Sequence, residues 1–197
     1  ALPSTVDALT AKPPSQRPPA SLVSAAGAQT RISVDDVERV SRSVERSPLV
    51  GCDGVRRPGI KNGALPAASL CTLFDGRTQL RADAAVALAR LNEAYVAKFV
   101  ADMCLASGYR TLGQQYAVRS EKGGLAAPPG TSNHGWGLAI DFCSKQTIGP
   151  RWTWLRDNGP LYGFVNPSWA LPGGNGPHEP WHWEFLKGVQ EDGEYFG

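Results

Sequence analysis

The chain contains only three histidines, His134, His178 and His182, and all of them lie in two short segments rich in glycine, tryptophan and acidic residues. Imidazole nitrogens and carboxylate oxygens are common zinc ligands. A zinc ion that keeps one coordination position open can activate water for hydrolysis. The clustering of these side chains therefore predicts a metal site that performs hydrolytic chemistry.

In the first segment, His134 and Asp141 stand seven residues apart. An extended chain would separate their α-carbons by about 23 Å, whereas two donors to one ion need α-carbons within roughly 10 Å. The chain must therefore turn back between them. Gly135 and Gly137 give the backbone the freedom to turn, and the small Gly137 and Ala139 leave room on the face that Asp141 shares.

The second segment, which begins at His178, has the letters of the His-Glu-x-x-His zinc motif. That motif needs a helix to bring both histidines onto one face. Pro180 lies inside the motif, and a run rich in glycine and proline precedes it, so a helix is not expected. We interpret the segment as a loop entering a strand. This interpretation makes His182 a ligand and Glu179 a nearby carboxylate, and it excludes His178 from the ligand set.

His134, Asp141 and His182 then form a three-ligand site with an open fourth position, as catalytic zinc requires. Several elements must position these residues. Apolar side chains recur at three- and four-residue steps over residues 81–103, which predicts an amphipathic helix. A short apolar run over residues 104–109 predicts a strand that delivers Arg110 to a loop. Thr111 is the expected N-cap of a helix that reaches about residue 119.

The two histidine-containing segments are each expected to lead into a strand. Bulky residues alternate with small or acidic ones over residues 136–142, and a final strand is predicted over residues 181–185. Loops over residues 122–133 and 171–180 precede these strands. Between them, residues 150–158 predict a short helix with proline near its first turn and Gly159 past its end.

The chain has four cysteines and no Cys-x-x-Cys pair, which favours two disulfides over a thiolate metal site. Disulfides indicate an extracytoplasmic location, whereas four buried free thiols in a cytosolic protein are the alternative. We expect Cys104 to pair with Cys143, because antiparallel strands would bring the start of one beside the end of the other. Cys52 then pairs with Cys71.

The domain organisation follows from composition. Residues 1–47 are rich in proline, alanine and serine, which predicts a flexible segment with a short helix near residues 33–46. We expect residues 48–197 to form one folded domain that contains the zinc site. The net charge of +2 and the absence of a basic run argue against a nucleic-acid partner. No stretch has the roughly 18 to 20 apolar residues of a membrane span. We expect a monomer.

Three ordered motifs resemble a known family. Residues 132–141 fit Ser-x-His-x-x-Gly-x-Ala-x-Asp, and residues 179–183 fit Glu-x-x-His-Trp. Residues 107–111 are similar to a preceding Ser-x-Tyr-Arg-Ser/Thr element, although Leu112 stands where the family usually has an aromatic residue. Together they resemble the zinc D-Ala-D-Ala carboxypeptidases of the VanY type, which are related to lysostaphin-type peptidases and hedgehog domains. The resemblance implies an α+β fold with a small antiparallel sheet and flanking helices, as in hedgehog domains and D,D-peptidases.

The resemblance also implies a reaction, the hydrolysis of D-Ala-containing peptide bonds in the stem peptides of peptidoglycan. A D,D- or L,D-carboxypeptidase is the favoured form. His134, Asp141 and His182 would hold zinc, which lowers the pKa of bound water to about 7. Glu179 would act as the general base and pass the proton to the leaving amine.

Other residues would handle the substrate. Arg110 stands at the family's arginine position, where it would stabilise the oxyanion or clamp a terminal carboxylate through paired hydrogen bonds that lysine cannot reproduce. Gln115 and Ser132 are candidates for orienting the substrate. Trp181, beside the base, is expected either in the core or along the cleft.

Three alternatives stay open at the level of sequence. The alternatives to a carboxypeptidase are a peptidoglycan endopeptidase, a non-catalytic zinc module that binds cell wall, and a zinc amidase that cuts the bond between sugar and peptide. The presence of Glu179 argues against a binding module, which needs no base. The element formed by Tyr109 and Arg110 is not explained by an amidase.

Overall fold

The structure is a computed structural model, and it describes residues 47–194. The predicted N-terminal flexible segment and the predicted helix near residues 33–46 lie outside the described residues. The described residues belong to one compact unit that begins at Ser47. Within that part of the chain, no helix combines the length and the apolar character needed to cross a bilayer.

Small antiparallel sheets and flanking helices make up the described region, which confirms the predicted α+β fold. A four-stranded antiparallel sheet has the order β3-β4-β6-β5, and a separate two-stranded ribbon pairs β1 with β2. The strands are β1 (Leu70–Thr72), β2 (Gln79–Arg81), β3 (Leu105–Ser107), β4 (Ala139–Phe142), β5 (Phe164–Val165) and β6 (His182–Phe185). The helices are α1 (Ala82–Phe99), α2 (Leu112–Lys122), α3 (Gly149–Asn158) and α4 (Leu186–Asp192).

Helix α1 supplies one side of the hydrophobic core. Its buried residues include Leu88, Leu91 and Tyr95, which belong to the same apolar cluster as Ile140 of β4 and Trp183 of β6. The predicted periodicity over residues 81–103 therefore describes a real packing face. Burying these side chains is the main favourable contribution that holds the helix to the rest of the unit.

The predicted end of this helix was too late, because the chain leaves helical geometry at Val100. Val100 adopts a left-handed conformation with φ of 54°, and its N–H still donates to the carbonyl of Val96. The side chain of Asn92 then accepts from the N–H of Met103 and donates to Asp102, which holds the reversed chain against the helix. These contacts are tertiary and leave no mark on the apolar pattern.

Differences of the same kind occur at the strands. The predicted strand over residues 136–142 is shorter, because its first residues form a turn and only Ala139–Phe142 pair in the sheet. The ribbon of β1 and β2, the two-residue strand β5 and helix α4 were not predicted. Helix α2 begins as expected, since Thr111 caps it through a reciprocal pair of hydrogen bonds with Gln114. These additions leave the predicted layout of the two histidine segments unchanged.

Two disulfides join the cysteine pairs expected from the sequence. Cys104, immediately before β3, is bonded to Cys143, immediately after β4, as the antiparallel pairing of those strands requires. Cys52 is bonded to Cys71 of β1, which fastens the irregular residues after Ser47 to the ribbon. No free cysteine occurs among the described residues.

Candidate metal centre and active-site cleft

Three side chains converge at one end of the pair formed by β4 and β6. Asp141 of β4 and His182 of β6 are direct partners in the antiparallel register, so their side chains leave the sheet side by side. His134 reaches the same place from the turn that precedes β4. Strand pairing thus fixes two of the three groups, and a turn must deliver the third.

The turn that carries His134 reverses the chain as the spacing to Asp141 requires. Gly135 donates to the carbonyl of Ser132, and Gly137 donates to that of His134. Gly137 has φ of +65°, and a β-carbon there would lie 2.7 Å from the backbone nitrogen of Arg81, so only glycine fits. A β-carbon on Gly135 would lie 1.9 Å from a side-chain oxygen of a neighbouring loop, so close approach rather than flexibility alone explains this glycine.

The three predicted ligands present their donor atoms as a nearly equilateral triangle. Nε2 of His134 lies 3.3 Å from both Nδ1 of His182 and Oδ1 of Asp141, and the last two atoms are 3.2 Å apart. A tetrahedral zinc ion with bonds of roughly 2.0 to 2.1 Å separates its ligand atoms by about 3.3 to 3.4 Å. The donor set and its spacing therefore fit zinc.

The remaining nitrogen of each imidazole is already occupied by an acceptor. Nδ1 of His134 lies 2.7 Å from the carbonyl oxygen of Gly108, and Nε2 of His182 lies 2.9 Å from Oε1 of Glu184. A nitrogen that donates to an oxygen carries the hydrogen, so the opposite nitrogen of a neutral ring is bare. Both bare nitrogens face the triangle, which is the arrangement found around metal-bound histidines.

Burial and mutual charge shift the pKa values of the three groups. Burial lowers the pKa of His134, which is 2% exposed. For His182, burial opposes protonation, but hydrogen bonds to Asp141 and Glu184 outweigh it and raise the pKa to about 9. For Asp141, burial opposes ionisation, but the two histidines lower its pKa well below its ordinary range. Without metal, a proton on His182 thus balances Asp141, and a cation in the triangle would take the place of that proton.

Arg110 lies beside the metal ligands on the loop after β3. Its Nη2 donates to Oδ2 of Asp141, while its Nε donates to the hydroxyl of Ser107 at 3.0 Å. Oδ1 of Asp141 is left to face the two histidines. The arginine therefore orients Asp141, a role that the sequence did not suggest, and it also lines the cleft that the triangle lines.

Glu179 lines the same cleft as the three donors, a cavity of about 780 Å³. It stands on the loop between β5 and β6 and is half-buried. Burial raises the pKa of its carboxyl above the ordinary value, partly offset by His182. The backbone of this residue is pinned at both ends, since its N–H donates to Ala170 and its carbonyl accepts from the side chain of Asn166.

Aromatic and cationic side chains both line the cleft. The ring of Trp169 lies 5.1 Å from that of His182, and Trp181 is 41% exposed along the cavity. Arg119 and Lys122 of α2 also line the cavity. His178 is exposed near the rim and does not belong to the ligand triangle.

The two residues predicted to orient substrate occupy different surroundings. Ser132 lies at the cavity surface, and its carbonyl accepts from the side chain of Asn62. Gln115 is buried, and its amide donates to Asn62 and to the carbonyl of Arg110 while accepting from Gly130. Because both ends of the amide have protein partners, these contacts favour a role for Gln115 in holding the loops around the cleft.

Three supporting residues escaped the sequence analysis, namely Glu184, Asn133 and Asn166. Glu184 had a usable signal, because residues two apart on a strand share a face and it stands two positions after His182. Asn133 donates to Glu184, and Asn166 donates to the carbonyls of Glu179 and His182. Neither asparagine lies in a pattern that singles it out in the sequence.

Comparisons with known proteins agree with the geometry. The sequence model of the VanY family, described as D-alanyl-D-alanine carboxypeptidase, matches residues 77–188. The chain is 25% identical to the LD-carboxypeptidase LdcB, a structure said to reveal the molecular basis of peptidoglycan recognition. That similarity covers 66% of this chain and 76% of LdcB, with a TM-score of 0.51.

Two further structures are similar at lower TM-scores. A mutant of the vancomycin-resistance D,D-pentapeptidase VanY in complex with Zn(II) is 26% identical, over 67% of this chain and 85% of that one, with a TM-score of 0.49. VanYB in complex with D-alanine-D-alanine is 25% identical, over 64% and 84%, with a TM-score of 0.48. No curated protein matches the chain significantly.

Proposed function

The chain belongs to the VanY family of D-alanyl-D-alanine carboxypeptidases, and from this membership we propose that it is a zinc-dependent peptidase that removes C-terminal D-alanine from peptidoglycan stem peptides. The matched residues 77–188 include every residue of the proposed site. One observation carries the proposal. Three donor atoms form a triangle of zinc dimensions in the cleft that also holds a half-buried glutamate.

His134, Asp141 and His182 are the proposed zinc ligands. Their two imidazoles and one carboxylate are the ligand types of a catalytic zinc site, and only three protein ligands leave a position open. Zinc held there supplies a Lewis acid that polarises a scissile carbonyl and makes water more acidic. The protein contributes the orientation of the three donors, each of which has a second hydrogen-bond partner on its far side.

Glu179 is the proposed general base. A carboxylate within hydrogen-bond reach of the attacking water can take its proton and deliver it to the leaving amine. Burial raises the pKa of this carboxyl, so it binds a proton more readily than an exposed glutamate does. Its backbone is held by Ala170 and Asn166, whereas no described residue donates a hydrogen bond to its carboxylate. The carboxylate is therefore available to water and substrate.

Arg110 is proposed to bind the substrate as well as Asp141. Its guanidinium lines the cleft, and a planar group with several N–H donors can serve a ligand and a second anion together. A substrate with an amidated C-terminus separates its two possible roles. Arg110→Ala penalises only the free acid if the arginine binds the terminal carboxylate, and both forms equally if it binds the oxyanion. Ser132, at the cavity surface, completes the proposed substrate-binding set, whereas Gln115 is proposed to support that set by holding the loops around the cleft.

Location and assembly follow from the same proposal. The substrate lies outside the cytoplasm, and both disulfides suit an oxidising compartment, so we place the protein there. The triangle, the glutamate and the arginine all come from one chain, which supports activity as a monomer. Size-exclusion chromatography of the active protein measures that state directly.

The test is mass analysis of defined muropeptides incubated with the full-length protein. Loss of one alanine from a pentapeptide identifies D,D-carboxypeptidase activity, and loss of one alanine from a tetrapeptide identifies L,D activity. Treatment with a chelator should abolish the cleavage, and added zinc should restore it. Cleavage only within cross-linked dimers would support the endopeptidase. A zinc-loaded protein that binds but never cleaves would support the cell-wall-binding module.

A further inference from the structure

Glu184 is a buried carboxylate directly behind the metal-ligand triangle, and neither metal binding nor proton transfer in the proposed reaction uses it. It belongs to β6, where it shares a face with His182. Its Oε1 lies 2.9 Å from Nε2 of that histidine and accepts a hydrogen bond of 3.0 Å from the amide of Asn133. A buried carboxylate without such partners would be strongly unfavourable.

We propose that Glu184 is a positioning residue that holds the hydrogen of His182 on Nε2 and thereby keeps Nδ1 bare and aimed at the metal. The inference rests on the proposed zinc site and adds the group that determines which nitrogen of His182 binds it. A neutral imidazole can carry its hydrogen on either nitrogen, and a strong acceptor at one nitrogen selects between the two forms. Glu184 is that acceptor.

The two ligand histidines are served by different acceptors, which explains why Glu184 is needed. His134 donates to the backbone carbonyl of Gly108, an acceptor that does not depend on a side chain. His182 has only a side chain behind it. A carboxylate also raises the basicity of the imidazole it orients, which strengthens the bond to the metal. The acceptor for His182 is therefore encoded in a single residue of the sequence.

Glu184 is itself fixed by Asn133. The amide group of Asn133 donates to Glu184 and to the carbonyl of Glu194, while its oxygen accepts from the N–H of Glu194 at 2.8 Å. These three contacts leave only one orientation for the amide, with its donor side toward the carboxylate. Asn133 also directly precedes the ligand His134. Asn133 thus links the carboxylate behind His182 to the backbone next to His134 and to the chain segment after α4.

The experiment measures metal binding rather than catalysis. Metal-stripped full-length protein and its Glu184→Leu variant are titrated with zinc in the presence of a competing chelator. Leucine is similar in size but offers no hydrogen-bond acceptor to Nε2 of His182, so we expect the zinc dissociation constant to rise by about 10- to 100-fold. The matched control is Glu93→Leu on the exposed face of α1, which should bind zinc as the parent does. Melting temperatures of the metal-free proteins check that the fold persists.

A second measurement on the unaltered protein does not depend on any variant. Nitrogen-15 NMR of the histidine rings distinguishes the two tautomers, and zinc-loaded protein should show the hydrogen of His182 on Nε2. A hydrogen on Nδ1 overturns the proposal, as does a Glu184→Leu variant that folds and binds zinc within threefold of the parent. If the parent itself binds no zinc, the proposed function fails instead, so the two failures are distinguishable.

Discussion

The proposed metal ligands His134, Asp141 and His182 (the metal-ligand region) and the proposed general base Glu179 with its loop (the general-base region) line one cleft but are held in different ways. His134 and His182 are almost fully buried, and each has an acceptor behind its ring. Asp141 pairs with His182 across two central strands and is held by Arg110. Glu179 stands instead on a loop, half-exposed, and only its backbone has partners among the described residues.

The rigid ligands and the less constrained glutamate suit the two tasks of metal binding and proton transfer. A metal site needs donors fixed within a fraction of an ångström, and strands with buried supports provide such precision. A general base must exchange a proton with water and then with a leaving amine, so its carboxylate benefits from freedom to approach both. Damage to the ligand region should therefore remove metal and activity together, whereas damage to the base region should remove activity and leave the metal bound.

The largest expected effect concerns the ligands. His134→Ala or His182→Ala each leaves two protein donors, so bound zinc should fall from about one per chain to near zero and activity should disappear. The exposed His178 is the matched control, and His178→Ala should keep most of its metal. Metal content is measured by mass spectrometry after dialysis. Equal zinc loss in His178→Ala and His182→Ala would show that the ligand set is wrong.

The next largest effect is expected for Glu179→Gln, which should remove most activity but leave zinc bound. The amide preserves shape but cannot take a proton, so turnover should fall by roughly 10² to 10⁴. Zinc content and substrate binding should stay near those of the parent, because the residue is outside the triangle. Single-turnover kinetics on the preferred muropeptide, with metal analysis of the same sample, separate the two quantities. Near-normal turnover in this variant would remove Glu179 from the reaction.

The metal ligands could be predicted from the sequence because the relevant residues are close together in it. The ligand types, their spacing and the glycines of the turn all lie within two short segments, so the sequence predicted His134, Asp141 and His182 as one site. Pro180 and the run rich in glycine and proline before it argued against a helix in the second segment. The α+β class was implied by the family resemblance of the motifs. Local periodicity, which records the faces that a helix or strand buries, predicted individual helices and strands.

The residues that hold the ligands in place could not be predicted, because their contacts join distant parts of the chain and leave no local sequence pattern. Asn133 meets Glu184 across a sequence separation of 51 residues, and the turn before β4 closes on Arg81 of another strand. The alternation over residues 136–142 looked like one strand, but the tight approach of Gly137 to Arg81 makes its first residues a turn. Likewise, the end of α1 is decided by the contacts of Asn92.

A smaller effect is expected at Asn166, the side chain that joins the two regions. Its amide donates to the carbonyls of Glu179 at 3.0 Å and His182 at 2.7 Å. Asn166→Ala should lower kcat by about five- to tenfold, since one hydrogen bond contributes roughly 1 kcal/mol. Zinc affinity should hold, because His182 keeps its strand partners. Asn158→Ala, which loses a similar bond at the end of α3, should leave kcat unchanged. Comparable losses of zinc and kcat would place Asn166 in the ligand region instead.

The smallest expected effect is a change in the pKa of Glu179 when zinc binds to the proposed ligands. It measures how strongly the metal-ligand region influences the general-base region. In the metal-free protein, burial should make the carboxyl of Glu179 titrate above the ordinary glutamate value of about 4.3, because water no longer stabilises its charged form. Binding of a divalent cation in the triangle favours the charged form, so zinc should lower the pKa of Glu179. Carbon-13 NMR of the side-chain carboxyls follows both changes, with exposed Glu93 as the control that zinc leaves unaltered. A Glu179 signal that ignores zinc would mean that the carboxylate is too far from the triangle to serve as its base.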